Sequence, residues 1–196
     1  MTKFRNSCVL VSVYFLVACS GPLSILVEGS YPRALTSPLP VTATLVMNEE
    51  FRNYIASPEG KISLNLGAAQ TEMFEAVMKP RFSDLLVVSE RPETITTDWV
   101  IEPSVSSTQI GVPAITHLKV YEVWLKYRVN VGDRQGNEIA SWFVPAYGKS
   151  PNSFTQGRGA AIQLASEIAL RDLGARVITD LHRVPELNAR LRENGF

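Results

Sequence analysis

The clearest hydrophobic pattern in the chain lies between residues 119 and 131. Every second residue is apolar and those between are mostly polar; the apolar set is Tyr121, Val123, Leu125, Tyr127, Val129 and Val131. Successive side chains of a strand point to opposite faces, so this alternation predicts an antiparallel strand with one face in the core. Residues 132–137 predict a turn, and residues 138–146 predict the returning strand of a hairpin.

Shorter segments with a related pattern predict the rest of the sheet. Residues rich in β-branched and aliphatic side chains predict strands at 41–47, 85–88 and 97–105. Residues 61–67 alternate as well and predict either a brief edge strand or a docking loop. Pro103 indicates a bulge or an edge position, because proline cannot donate a ladder hydrogen bond.

Two segments show the spacing of three and four residues that is typical of an amphipathic helix. The first covers residues 68–82, where Pro80 is expected to end or kink the helix. The second covers residues 159–181, and its apolar stripe is Ile162, Ala165, Ala169, Leu173, Val177 and Leu181. These elements predict an α+β domain with a single mainly antiparallel sheet and two helices packed on one face.

The N-terminal residues follow the pattern of a secretory signal. Lys3 and Arg5 precede an apolar stretch at 9–16, which is shorter than the roughly 20 residues that span a bilayer. The next residues complete Leu16-Val17-Ala18-Cys19, which resembles the bacterial lipobox, whose cysteine receives diacylglycerol and becomes the first mature residue. We therefore expect a lipoprotein signal peptide at 1–18 and acyl chains, palmitate among them, on Cys19. The alternative is an ordinary signal peptide or a retained anchor.

The segment after Cys19 predicts a flexible tether over residues 19–40, followed by a single periplasmic domain over residues 41–196. Prolines, glycines and serines favour an extended chain, which reaches at most roughly 65 Å. Apolar residues 23 and 25–27 interrupt this pattern and indicate a part that lies on the domain or at the lipid surface. Ser20 resembles the signal for release to the outer membrane, because enteric lipoproteins kept at the inner membrane have aspartate there.

The amino-acid composition limits which partners, metal sites and activities the protein is expected to have. The 19 basic and 19 acidic residues balance, which disfavours a nucleic-acid partner. Both cysteines precede residue 20, so the mature chain has no thiol for a disulfide or a metal. The two histidines match no zinc spacing, and there is no Gly-x-Ser-x-Gly elbow. We therefore expect no metal, no cofactor and no enzymatic activity.

Two tryptophans are the candidates for a partner surface. Trp124 falls on the polar side of its strand, and Trp142 lies on the returning strand. If the two pair across the hairpin, they form an aromatic patch on the outer face, and exposed aromatic patches often mark interaction sites. The alternative is a covering layer, such as the tether or a loop, that packs over this face.

The order of elements resembles that of small bacterial envelope lipoproteins. Signal, proline-rich tether, hairpin and terminal helix look most like the YajG-type uncharacterised lipoproteins, and more loosely like lipopolysaccharide-assembly and transporter-auxiliary lipoproteins. The resemblance implies a lipid-anchored, non-catalytic periplasmic protein that binds an envelope partner in assembly, transport or maintenance. The alternatives are a carrier of a small molecule or lipid, with a pocket between sheet and helices, and an envelope hydrolase with a polar cleft around a histidine.

Overall fold

The computed structural model describes residues 23–58, 61–152 and 157–193. The predicted signal peptide and Cys19 lie outside the described residues. The elements in chain order are β1 (Leu23–Leu26), β2 (Leu39–Val46), α1 (Glu49–Arg52), β3 (Ile55–Ala56), β4 (Ile62–Asn65), α2 (Gly67–Met78), β5 (Phe82–Val88), β6 (Trp99–Gly111), α3 (Pro113–Thr116), β7 (Val120–Asp133), β8 (Glu138–Pro151), α4 (Arg158–Asp180) and α5 (Pro185–Glu193).

The strands form two sheets. The large sheet has the order β5-β2-β6-β7-β8, and β2 runs parallel to both β5 and β6. The small sheet has the order β1-β4-β3, with β1 parallel to β4. The prediction of a single mainly antiparallel sheet with two helices is therefore wrong, since the described part of the chain has two mixed sheets and five helices. The physical reason is the long connection from β2 to β5, which contains α2 and returns the chain in the same direction.

One face of the large sheet, called the inner face here, is covered by α2 and α4. The predicted stripe of the terminal helix is confirmed, because all six of its side chains are fully buried. A glycine in β8 allows α4 to lie close to the sheet: a Cβ at Gly148 would lie 2.0 Å from the carbonyl oxygen of Ala165. The close approach therefore depends on small residues in both elements.

The first described residues pack against the domain. β1 pairs with β4 over its whole length, and the Val27 side chain that follows is buried. The Gln163 side-chain amide donates to the Glu28 carbonyl at 3.0 Å, and Arg171 Nε donates to the Ser30 carbonyl at 3.1 Å. The apolar part of the expected tether thus lies on the domain, which is one of the two placements that its sequence allowed.

The opposite, outer face of the large sheet is covered over only part of its width. The connection between β5 and β6 crosses back over it, so that Thr97 Oγ1 lies 2.7 Å from Thr44 Oγ1. Arg91 of the same connection forms an ion pair with Glu102 at 3.5 Å. The hairpin of β7 and β8 lies beyond this connection and leaves large side chains exposed on its outer side.

Candidate partner-binding face

The structure places the two candidate tryptophans on opposite faces of the hairpin. Trp124 pairs with Tyr147 and points outward, whereas Trp142 pairs with Val129, whose side chain lies in the core. From Val120 to Val131, each even-numbered residue of β7 opposes an odd-numbered residue of β8 in this register. The expected patch of Trp124 and Trp142 is therefore not formed. The signal that identifies the inner side was present in the sequence, because Trp142 shares its side with the apolar Ala140, Val144 and Ala146.

Trp124 instead has an outer-face partner that was missed in the sequence. The ring centroids of Trp124 and Tyr147 lie 5.3 Å apart, and the indole remains 38% exposed. The Tyr147 hydroxyl donates to Glu122 Oε1 at 2.6 Å. This hydrogen bond, together with burial, raises the pKa of Tyr147 and keeps the phenol protonated. Gly111 leaves room for the indole, since a Cβ there would lie 3.0 Å from Trp124 Cζ3.

Farther along the hairpin, a second exposed aromatic residue lies between two cations. Phe143 is 43% exposed, with Lys126 Nζ at 4.2 Å and the Arg128 guanidinium carbon at 4.6 Å from its ring centroid. Both distances suit cation–π contacts. Among the described residues no carboxylate forms an ion pair with these cations or with Lys149, which also points outward. These three cations therefore lack an ion-pair partner among the described residues.

We call this surface the open face and define it by Trp124, Lys126, Arg128, Phe143 and Tyr147. Aromatic and arginine side chains are the types that most often dominate binding energy at protein interfaces. The backbone of these residues is held in paired strands, so a partner does not have to order the backbone when it binds. The arrangement suits recognition of a partner with acidic groups next to apolar ones.

A groove between the chain leading into β2 and the two long helices is a second candidate site. It measures about 260 Å³ and includes Met73, Val77, Gly174 and Ile178 in its lining. Tyr31 also borders it, and the buried Tyr31 hydroxyl has no hydrogen-bond partner among the described residues. Burial raises the pKa of this hydroxyl. The groove lies outside the helices, not between sheet and helices as the carrier alternative expected.

His182 packs against a buried arginine that sequence reasoning did not identify. Arg81 is almost fully buried, donates to the Ser37 carbonyl and lies with Nη2 3.1 Å from His182 Nδ1. Burial and the Arg81 charge lower the pKa of His182, which favours the neutral ring. Within the described ranges no three His, Cys, Asp or Glu side chains cluster as a metal site would require. No helix in the described part of the chain is long and apolar enough to cross a membrane.

The fold has counterparts among solved structures. The chain is similar to protein XCC0632 from Xanthomonas campestris, of family DUF330, with 7% identity, 86% of this chain and 99% of that chain covered, and a TM-score of 0.58. Less similar are a putative lipoprotein from Caulobacter crescentus (14% identity, 72% and 88% covered, TM-score 0.44) and a minor lipoprotein from Acinetobacter baumannii (12%, 72% and 90%, 0.43).

These likenesses concern the fold. No family model and no curated protein matches the sequence. The neighbours include proteins described as bacterial lipoproteins, and none of the three is described as an enzyme. The more specific resemblance to YajG-type proteins is not confirmed and stays a prediction.

Proposed function

We propose that the protein is a non-catalytic, lipid-anchored protein of the bacterial envelope that binds an acidic protein partner through the open face. The observation that carries this proposal is the exposed Phe143 ring held between Lys126 and Arg128, two cations with no ion-pair partner among the described residues. The inner face of the same strands is covered by helices, whereas no element of the described residues covers these side chains. Charge complementarity of this kind steers a partner and fixes its orientation.

The anchoring half of the proposal is supported by Leu16-Val17-Ala18-Cys19. A thiol can carry the diacylglycerol thioether, and small residues before it fit a narrow signal-peptidase cleft. With Ser20 after the cysteine, we propose an outer-membrane location facing the periplasm. Cys19→Ser should abolish acylation and leave the protein unprocessed or unanchored. An unchanged mature N terminus by mass spectrometry, with unchanged outer-membrane fractionation, would contradict the anchoring.

The partner half can be tested by site-specific crosslinking in intact cells. A photo-reactive amino acid at Gln109, which pairs with Trp124 in the neighbouring strand, should give a defined crosslinked protein. Lys126→Glu combined with Arg128→Glu should remove it by charge repulsion. Lys79→Glu with the probe at Gln109 is the control, because Lys79 is an exposed lysine directly after α2 and outside the open face.

The expected crosslinked protein carries Asp or Glu side chains at the crosslinked peptide. A crosslink that survives the double charge reversal, or the absence of any crosslinked protein at this position, would contradict the proposed partner binding. Retention in the Lys79→Glu control shows that the loss depends on the open face.

A carrier of an apolar molecule is the second candidate function, because the groove beside Tyr31 is apolar and borders a buried hydroxyl with no hydrogen-bond partner among the described residues. Its volume of about 260 Å³ fits one acyl chain segment or a small molecule. Native mass spectrometry of protein extracted from membranes should then show a co-purifying ligand. Ala175→Trp, which narrows the groove, should reduce its occupancy, whereas Ala114→Trp, in α3 and outside the groove, should not.

A further inference from the structure

The chain enters the domain next to α3. The Leu23 amide donates to the Lys61 carbonyl at 3.1 Å, and Leu23 pairs with Ile62. Lys61 and Ile62 border a recess of about 480 Å³ whose other walls include Ile115 and Arg158. The first described residue and α3 therefore lie at the same end of the molecule, where β7 begins.

This end exposes aliphatic and basic side chains together. Ile115 is 59% exposed and Leu118 is 52% exposed, although both are large aliphatic residues. Lys61, Lys119 and Arg158 are also exposed, and none forms an ion pair with a described carboxylate. We call these five residues the docking end.

At the opposite end of the hairpin, polar side chains of the turn are instead paired with one another or with neighbouring residues. In the turn after β7, the Asp133 carboxylate accepts hydrogen bonds from the amides of Gln135 and Asn137 at 2.9 and 2.8 Å. Arg134 is paired with Asp98 at 3.1 Å. β7 has 14 residues, so the two ends lie about 45 Å apart along it.

The covalent chain limits which end can meet a membrane. Three residues separate Cys19 from Leu23, which allows a span of at most about 14 Å. With Cys19 acylated, the docking end is held within reach of the bilayer surface and the hairpin turn is not. The long tether of roughly 65 Å expected from the sequence is therefore much shorter, because β1 is part of the small sheet.

We propose that the docking end binds the lipid surface itself, with Ile115 and Leu118 inserted among the headgroups and the three cations on anionic lipid. This inference rests on the proposed anchoring through Cys19. Interfacial segments bind by the same combination of buried apolar area and attraction to anionic lipid. The lipid surface is favoured over a protein partner because the position of Leu23 keeps this end against it.

The experiment uses the full, acylated protein reconstituted in vesicles of phosphatidylethanolamine and phosphatidylglycerol. Leu118→Cys provides a unique thiol for an environment-sensitive fluorophore, since Cys19 is acylated and Cys8 leaves with the signal peptide. Lipids that carry a quencher in the upper acyl chain should reduce its emission by about twofold or more. The same label on Gln135→Cys, in the opposite turn, should be unaffected. Lys61→Glu combined with Arg158→Glu should weaken the quenching at residue 118.

The two proposals fail in different ways. If the vesicles float with the protein but the label at residue 118 is not quenched, the docking is wrong and the anchoring stands. If the protein does not float with the vesicles at all, the anchoring through Cys19 is wrong, and the docking falls with it. Quenching in vesicles of purified components cannot come from an envelope protein, so it supports the lipid surface directly.

Discussion

Aromatic residues occur on both faces of the β7–β8 hairpin, but they have different roles on the two faces. On the inner face Tyr127 is fully buried, its hydroxyl donates to Gln70, and its ring lies 6.2 Å from Phe51 and 6.0 Å from Phe74 between centroids. On the outer face the Phe143 ring packs against the cations of Lys126 and Arg128 and remains 43% exposed to solvent. Aromatic residues stabilise the fold on one face and remain accessible for binding on the other. Substitutions should therefore affect stability on one face and binding on the other.

The largest effect is expected from a charge placed in the inner layer. Leu173 of α4 is fully buried, so Leu173→Asp should lower the free energy of unfolding by about 4 kcal/mol, through lost packing and an unpaired carboxylate. Urea denaturation measures this loss in the free energy of unfolding. Ala175→Asp is the matched control on the exposed side of the same helix, one turn from Arg171. Equal unfolding energies for the two variants would show that the buried face of α4 is assigned wrongly.

A single methyl group should separate β8 from α4. Gly148→Ala places a Cβ 2.0 Å from the Ala165 carbonyl oxygen, so backbone must move, at an expected cost of about 2 kcal/mol. Gly157→Ala is the control, because no described atom lies within 4 Å of its Cβ position. Thermal unfolding of both variants checks this. A melting temperature unchanged by Gly148→Ala would argue against the close approach of helix and sheet.

The tryptophans provide the most direct comparison of the faces. Trp142→Ala removes a partly buried side chain that packs on the core and should cost about 2 kcal/mol of stability. Trp124→Ala should cost less than about 1 kcal/mol but remove the crosslink at Gln109. Unfolding curves and crosslinking are measured on the same two variants. Loss of stability in Trp124→Ala equal to that in Trp142→Ala would show that the outer tryptophan is structural.

The smallest effect concerns pH. The pKa of His182 is lowered in the folded state, so folding favours its neutral form. Its contribution is fully present above the ordinary histidine value of about 6.5 and is lost as the pH falls below it toward the folded pKa. His182→Gln should flatten the fall in melting temperature between about pH 7 and pH 5. An identical pH profile for the variant would show that titration of His182 does not cause the fall in melting temperature.

Local periodicity predicted the elements well and their long-range pairing poorly. The stripe of α4 and the alternation of β7 are properties of one segment, and both are confirmed. Pro80 also ends α2 as expected, in a short 3-10 turn at Lys79–Arg81. The sheet class was wrong because a parallel pair such as β2 and β5 is decided by the path of the chain between them.

The outward position of Trp124 in the candidate site was predicted from the sequence, and its pairing with Trp142 was not found, for a similar reason. The alternation around Trp124 is local, and it places the indole outward correctly. The face of Trp142 follows from the apolar residues on its own side of β8, but its partner across the hairpin depends on the register, which shifts between Val131 and Gly132. A shift by one residue exchanges the two faces of a strand, so this detail of the turn decides which aromatic residues meet. β1 was missed because four residues gain a strand conformation only through their pairing with β4.

If the docking end lies on lipid as proposed, the length of β7 sets the height of the open face above the membrane. Trp124 is four residues from Val120 and Arg128 is eight, so they lie at most about 13 Å and 26 Å farther from the docking end. With the docking end on the lipid, a partner must approach the open face parallel to the membrane surface. The layer in which it approaches is thinner than the domain itself. Proteins that stand on the same membrane already occupy that layer and meet by lateral diffusion. A partner from the bulk periplasm would have to enter it.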